Sequence, residues 1–296
     1  MRTLSPQLRK VVDGSDYVGE SPQWSPAEEA LYWINCEHPS LIQRWHPASG
    51  ERQSWPVPQR IGGFVLKRAG GALLALADGI YDMDLTTGAL TQRVASQMAH
   101  ASLHECRCDR SGRFWVGAID RRVGPQNLLP SGGSLFRLDG RRLIPIADGI
   151  SCSNGLAFSP DGTTLYHTDS PTRIVSAWTL DPRTGEVSQK RDFVRLSPEE
   201  GFCDGATVDA DGGYWMALVF TGKLRRYLPD GALDLEVELP FSNPTSLAFG
   251  GVGYRTLFIT TTRMSIGTAL RGEQMHGSVY ALDVDCHGLA EPLFNE

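Results

Sequence analysis

Three oxygen-donating side chains, those of Glu20, Asn154 and Asp204, stand at equivalent points of a segment that recurs along the chain. Two carboxylates and an amide carbonyl are hard donors that suit Ca²⁺, Mg²⁺, Mn²⁺ or Zn²⁺. Three protein ligands also leave coordination positions open for water or substrate. Singly, Asn154 and Asp204, each followed by Gly, fit turn residues that bond their own backbone equally well. The shared register of three donors favours a site for one divalent cation.

The recurring segment joins an apolar strand, through a turn with Gly or an acidic residue, to a second strand rich in Leu, Tyr, Trp and Phe. Its six copies begin at residues 25, 67, 109, 159, 209 and 250. Five residues before these starts stand, in order, Glu20, Gly62, His104, Asn154, Asp204 and Thr245. The scaffold repeats and these six residues, here called the ring residues, do not. This difference predicts one axial site, in which Gly62 and Thr245 are passive.

Periods of roughly 40 to 50 residues with several short strands are typical of β-propellers, whose blades have four strands. Six copies therefore predict an all-β fold, a six-bladed β-propeller that forms one domain over residues 1–296. An alternating strand pair after every copy supplies the outer half of each blade. We expect residues 9–18, RKVVDGSDYV, to add the strand that closes the last blade. Residues 120–133 are predicted to form one long loop, and such loops often cover sites.

The composition, with 41% apolar residues, 32 Gly and 18 Pro, describes a soluble, turn-rich globule. A net charge of −6 and the lack of a basic run argue against a nucleic-acid partner. The amino end does not resemble a signal peptide, and no eighteen apolar residues run together, so we expect a cytoplasmic protein without a membrane partner. We also expect reduced cysteines, and a monomer or weak homo-oligomer.

Four motifs carry a resemblance to a known family. They are GESPQW at 19–24, RCDRSGRFWVGA at 107–118, SNGLAFSPDGTTLYHTDSPTR at 153–173 and CDGATVDADGGYW at 203–215. With the order of the copies, they resemble the regucalcin, gluconolactonase and senescence-marker family over nearly the whole chain. The resemblance implies a six-bladed propeller with one divalent cation, held by residues that fall on Glu20, Asn154 and Asp204. It also implies hydrolysis of sugar lactones, typically aldonolactones.

The chain departs from this family at two points. Ser21 stands where the family usually has the second glycine of GEGP. Ser102, Leu103, His104 and Glu105 stand where the family shows Arg-x-Asn-(Asp/Glu). The Arg and Asn of that motif contact substrate hydroxyls and carbonyl in the family, so Ser102 and His104 are our candidates for substrate contact.

Two roles are open for His104. The simpler is a neutral imidazole that fills the place of an amide and donates one hydrogen bond. The other is a fourth metal ligand or a general acid near the leaving oxygen. Asp120, one residue from the usual position of a substrate-binding acid in the family, is a further candidate for substrate contact. It fits equally a solvated loop aspartate beside Arg121 and Arg122.

The first functional hypothesis is a metal-dependent hydrolase that opens a small-molecule sugar lactone to the sugar acid. In it Asp204 is the general base and also contacts the metal, while Glu20 and Asn154 hold the ion. The second is a divalent-cation-binding regulatory or scaffold protein without hydrolysis. The third is a lactonase or esterase for less polar substrates, which Ser102 and Leu103 favour.

Overall fold

Six four-stranded units follow one another along the chain in the computed structural model, which describes residues 2–4, 7–122, 131–265 and 271–296. Within each unit, neighbouring strands are antiparallel, and the first strand of the unit is the innermost. The six innermost strands pack against one another in sequence order, and the last packs against the first. The fold is therefore the predicted all-β, six-bladed propeller. Residues 123–130 of the predicted long loop lie outside the described residues.

The strands of blades I to III are as follows. Blade I contains β3 (Gly19–Ser25), β4 (Ala30–Asn35), β5 (Leu41–Trp45) and β6 (Arg52–Pro56). Blade II contains β7 (Ile61–Leu66), β8 (Ala72–Leu76), β9 (Gly79–Met83) and β10 (Leu90–Ala95). Blade III contains β11 (Ser102–Cys108), β12 (Phe114–Ile119), β13 (Gly133–Asp139) and β14 (Arg142–Ile150).

Blades IV to VI have the same plan, with two strands contributed by the amino end. Blade IV contains β15 (Ser153–Phe158), β16 (Thr164–Asp169), β17 (Ile174–Leu180) and β18 (Val187–Arg195). Blade V contains β19 (Phe202–Val208), β20 (Tyr214–Val219), β21 (Lys223–Tyr227), β22 (Leu233–Glu238) and the added β1 (Arg2–Leu4). Blade VI contains β23 (Pro244–Gly250), β24 (Thr256–Thr261), β25 (Val279–Asp283) and β2 (Arg9–Val12).

Short 3₁₀ helices connect some of these strands. In the described residues they are Ser170–Thr172, Pro198–Glu200, Val252–Tyr254 and Glu273–Met275. None of the helices in the described segments has the length and apolar character that crossing a membrane requires.

The amino-terminal strand closes the ring as the sequence predicts. β2 pairs antiparallel with β25, Lys10 opposite Tyr280, and Val12 is only 3% exposed. The chain thereby covers an edge that blade VI would otherwise leave unpaired. The sequence did not predict the contribution of β1, which pairs in parallel with β22 and gives blade V a fifth strand.

Each innermost strand is interrupted by a β-bulge at the level of the ring residues. In β3, Glu20 pairs with Ile34 but Gln23 pairs with Tyr32, so three steps on one strand oppose two on the other. The register shifts of the six innermost strands lie between Glu20/Gln23, Ile61/Gly63, Leu103/Cys106, Asn154/Ala157, Cys203/Ala206 and Pro244/Leu247. A bulge bends its strand and changes the direction of its side chains.

Gly62 is required by the close approach of blades II and III. A Cβ atom at Gly62 would lie 2.4 Å from the Cα atom of His104 and 2.5 Å from the carbonyl oxygen of Leu103. Both are backbone atoms, so relief requires one strand to move. The one ring position without a side chain thus allows β11 to pack beside β7.

We expect Gly62→Ala to lower the free energy of unfolding by about 1 to 3 kcal/mol, because the added methyl group overpacks two backbones. Denaturant unfolding measures this loss. Gly132→Ala is the matched control, since a Cβ atom there would meet its nearest neighbour, Asp120 Oδ2, at 3.8 Å, an ordinary contact. Equal losses in the two variants would contradict the interpretation.

Candidate functional site

Five of the six ring residues line one cavity of about 250 Å³, here called the ring cavity. They are Glu20, His104, Asn154, Asp204 and Thr245. Five different blades supply these side chains, and the bulges bring them to one level of the ring. The convergence that the sequence register predicts is therefore present in the structure.

Glu20 and Asp204 place two carboxyl groups in direct interaction at the ring cavity. Glu20 is 6% exposed, and its Oε2 accepts a hydrogen bond of 2.9 Å from the backbone N–H of Ser21. Burial raises the pKa of both carboxyl groups, and the adjacent charge of Glu20 raises the pKa of Asp204 further. Two such groups do not ionise together easily unless a cation lies between them.

Asn154 is oriented by the hydroxyl group of Ser170, which lies in the short 3₁₀ helix after β16. Its Nδ2 donates to the Oγ of Ser170 at 2.9 Å, and Ser170 Oγ donates to the carbonyl oxygen of Cys203 at 2.7 Å. Because the Ser170 proton is used on Cys203, its oxygen must accept from the amide nitrogen. The Oδ1 atom of Asn154 is therefore the one left for the cavity, as a metal ligand requires.

These donors fit a hard divalent cation. Two carboxylates and an amide oxygen supply oxygen ligands, and the carboxylate charges would balance a doubly charged ion. In the described part of the chain, no group of three or more His, Cys, Asp and Glu residues is arranged to hold a metal ion. A site here accordingly needs the amide oxygen of Asn154 as its third protein ligand.

His104 is a buried, neutral imidazole. Its Nδ1 lies 3.0 Å from Nη2 of Arg60, and a guanidinium can only donate, so Nδ1 accepts and the proton is on Nε2. Burial, with the charges of Arg60 and Arg121, lowers the pKa of His104 well below its usual value. The Nε2–H group is thus a hydrogen-bond donor at the cavity. This arrangement favours the simpler of the two roles that the sequence leaves open.

Ser102 and Asp120, the other residues expected to contact substrate, are not among those that line the ring cavity. Ser102 is half-buried on β11 and pairs with Ile119. The Asp120 carboxylate is buried rather than solvated, and it accepts bonds from the Arg122 guanidinium at 2.9 and 2.6 Å. That guanidinium lowers the pKa of Asp120. Its Oδ2 also accepts from the backbone N–H of Gly132 at 3.0 Å, so Asp120 contacts described residues on both sides of the segment 123–130.

Residues 18–263 match the sequence profile of the family described as SMP-30/Gluconolactonase/LRE-like region. The chain belongs to this family. A Pseudomonas putida relative named 6-deoxy-6-sulfogluconolactonase is 36% identical over 98% of this chain and 99% of its own. The L-arabinolactonase of Azospirillum brasilense is 31% identical over 97% of this chain and 95% of its own.

A crystal structure of a similar protein has the same fold. It is that of regucalcin from Agrobacterium tumefaciens, described as a calcium-binding protein, which is 25% identical to this chain. The two superpose with a TM-score of 0.91, and the match covers 100% of each chain. The resemblance expected from the motifs is confirmed over the length of the chain.

Several residues that line the ring cavity were not predicted from the sequence. Arg60, Arg121 and Glu37 form one part of the wall, and the aromatic side chains of Phe202 and Phe220 form another. Phe220 directly follows β20, the second strand of blade V. Arg60 and Phe202 each stand two residues before a ring residue. Glu37 and Arg121 each stand twelve residues after the start of a copy. These positions recur between blades while their residue types change, which is the same signal that marks the ring residues.

Ser21 adopts a backbone conformation that favours glycine. Its φ of 50° lies in the left-handed region, where a side chain costs about 1 to 2 kcal/mol. The sequence departure from GEGP thus falls at a strained residue next to Glu20. The Ser21 N–H still donates to that carboxylate.

We expect Ser21→Gly to raise the free energy of unfolding by up to about 1 kcal/mol, because relief of strain outweighs the extra chain entropy of glycine. Ser54→Gly, in the exposed strand β6, is expected to lower it by about 0.5 to 1 kcal/mol. Parallel denaturant titrations compare the two signs. A loss of stability in both variants would show that Ser21 is not strained.

Proposed function

We propose that the chain is a hydrolase that opens a sugar lactone to its sugar acid, with a divalent cation held by Glu20, Asn154 and Asp204. The observation that carries this proposal is the convergence of two interacting carboxyl groups and an oriented amide oxygen in one cavity. Relatives named as lactonases for sulfogluconolactone and L-arabinolactone, matched over nearly their whole lengths, support the substrate class.

A bound divalent cation would polarise the lactone carbonyl and stabilise the negative charge that develops on its oxygen. We assign the general base to Asp204, which takes a proton from water as that water adds to the carbonyl carbon. The bond from that carbon to the ring oxygen then breaks, and the proton returns to the leaving oxygen. Glu20 and Asn154 hold the ion, and the Nε2–H of His104 hydrogen-bonds a substrate oxygen.

The aromatic part of the cavity wall suits the less polar face of a sugar ring. The rings of Phe202 and Phe220 lie 6.5 Å apart in an edge-to-face arrangement, and both line the cavity. Aromatic side chains cover the C–H face of a sugar while polar groups bind its oxygens. The same aromatic wall also favours a second candidate function, the third hypothesis of the sequence analysis, which is a lactonase or esterase for less polar substrates.

A lactone panel on a metal-analysed preparation tests the proposal. Proton release is followed for aldonolactones, an acyl lactone and an aryl ester, before chelation, after it, and after Ca²⁺, Zn²⁺, Mg²⁺ or Mn²⁺ is added back. We expect opening of an aldonolactone that chelation abolishes and one of the ions restores. Faster turnover of the aryl ester would favour the second candidate. Metal binding without any turnover would indicate a cation-binding protein instead of a hydrolase.

We expect Asp204→Asn to lower kcat at least about 100-fold, because the amide cannot accept the proton from water. The lactone assay on protein with verified metal content measures this loss. Asp139→Asn, at an exposed position at the end of β13, is the control and is expected to keep the wild-type rate. A metal-loaded Asp204→Asn protein with wild-type kcat would exclude Asp204 as the base.

Ser170→Ala is expected to weaken cation binding by about 10- to 100-fold, because Asn154 loses the partner that orients its amide. Calorimetric titration of the metal-free protein with Ca²⁺ measures the affinity. Ser176→Ala, which truncates another buried serine of blade IV on β17, is the matched control. Unchanged affinity in Ser170→Ala would mean that Asn154 does not ligate the ion or needs no support.

A further inference from the structure

Arg60 brings to the ring cavity a positive charge that forms no ion pair among the described residues, although this charge also acts on the carboxyl group of Glu20. It is half-buried at the start of β7, and its Nη1 donates to the carbonyl oxygen of Leu103 at 3.3 Å. Its Nη2 donates to Nδ1 of the neutral His104 at 3.0 Å. Both partners fix the guanidinium without neutralising it, and its remaining N–H groups are available to a ligand.

Two buried arginines of the propeller are each neutralised by a carboxylate. Arg225 pairs with Glu236 at 2.7 Å, and Arg226 pairs with Asp209 at 2.6 Å. Among the described residues, no ion pair joins Arg60 to an acidic side chain. Arg60 is half-buried, and the half-buried Arg110, Arg137 and Arg173 also lack an ion pair among the described residues. Arg60 differs from these three because it lines the ring cavity, where a ligand can meet its charge.

The sum of the side-chain charges that line the cavity supports the same conclusion for a cavity that holds a divalent cation. Glu20 and Asp204 would balance such an ion. At the rim, Arg121 is balanced by Glu37, with nitrogen to oxygen distances of 3.2 and 3.3 Å. His104 is neutral. Of the charged side chains that line the described cavity, Arg60 is then the one without a balancing partner, which favours an anionic lactone over a neutral one.

We propose that Arg60 binds an acidic substituent with several terminal oxygens, a sulfonate or a phosphate, on the lactone that the ring cavity accepts. This inference rests on the proposed function and names the substrate class of the same site. Guanidinium N–H groups bond such oxyanions at two points, and the Nε2–H of His104 offers a further donor on the same wall. Arg121, already paired with Glu37, contributes less.

Three hexonolactones test the proposal, one unsubstituted, one with a 6-sulfonate and one with a 6-phosphate. We expect the wild-type protein to prefer at least one anionic lactone about 10- to 100-fold in kcat/KM, the range of a hydrogen bond between charged groups. Preference for only one of the two anionic lactones identifies the group. Arg60→Gln is expected to bring the ratio of anionic to unsubstituted kcat/KM close to one, and Arg60→Lys to restore part of it.

Two further variants make the readout specific. Arg121→Gln is expected to change the ratio less than about threefold, because Glu37 already offsets that charge. Arg141→Gln removes the same charge from an exposed turn far from the cavity lining and is expected to leave the ratio unchanged. A wild-type ratio near one, or a ratio that Arg60→Gln does not alter, would overturn the proposal.

A binding measurement separates this inference from the hydrolase proposal. Calorimetry compares glucose, glucose 6-sulfonate and glucose 6-phosphate, which contain no lactone bond to open. We expect Arg60→Gln to remove the tighter binding of the anionic sugars while Ca²⁺ affinity stays within about threefold. Arg60-dependent binding without opening of any lactone would refute the hydrolase alone. If Arg60→Gln changes only Ca²⁺ affinity, Arg60 balances the charge of the metal site and the anion site is refuted.

Discussion

The bulge in every innermost strand is the constraint on which the site depends. A regular strand would continue the alternation of side chains along the blade, whereas one extra residue at the same level bends all six strands there. Glu20, Asn154 and Asp204 line one cavity because this backbone feature is repeated around the ring. Gly62 belongs to the same constraint, since only a residue without Cβ lets β11 approach β7 so closely. Backbone geometry fixes where the cavity lies, and the residue at each bulge decides its chemistry.

Acidic residues serve the scaffold or the site according to their partners. Asp209 opens the fifth copy of the repeat, and its Oδ2 accepts from Trp215 Nε1 at 2.8 Å and from Arg226 at 2.6 Å. Its charge is used within the blade. Asp204 lies five residues earlier and interacts instead with the carboxyl group of Glu20. A charge already paired stabilises the fold, whereas two adjacent like charges store an unfavourable interaction that a bound cation relieves.

The sequence predicted what the period controls. Six copies indicated six blades, residues 9–18 indicated the strand that closes the last one, and the register brought five side chains to one cavity. Arg60 and Ser170 stand outside the six copies, on connections between strands, and only the folded chain shows their contacts with His104 and Asn154. β1 was missed because three residues carry no readable alternation. The contacts of Asp120 were not predicted for a different reason. Its partner Arg122 is only two residues away, but a sequence does not show which of several nearby groups a carboxylate binds.

The departure from the family motif in blade III, at Ser102 and His104, is best considered together with Arg60, which precedes the first strand of blade II. The resemblance to the family implies an Arg at the position of Ser102, so the sequence alone suggests the loss of a guanidinium. Arg60 of blade II supplies one at the same wall, anchored on the Leu103 carbonyl oxygen and on His104. His104 is then more than an amide replacement, because a neutral imidazole acceptor at Nδ1 is what holds Arg60 without cancelling its charge. His104 and Arg60 act together, and the positive charge that they retain is the property by which the cavity would select an anionic lactone in the function that we propose.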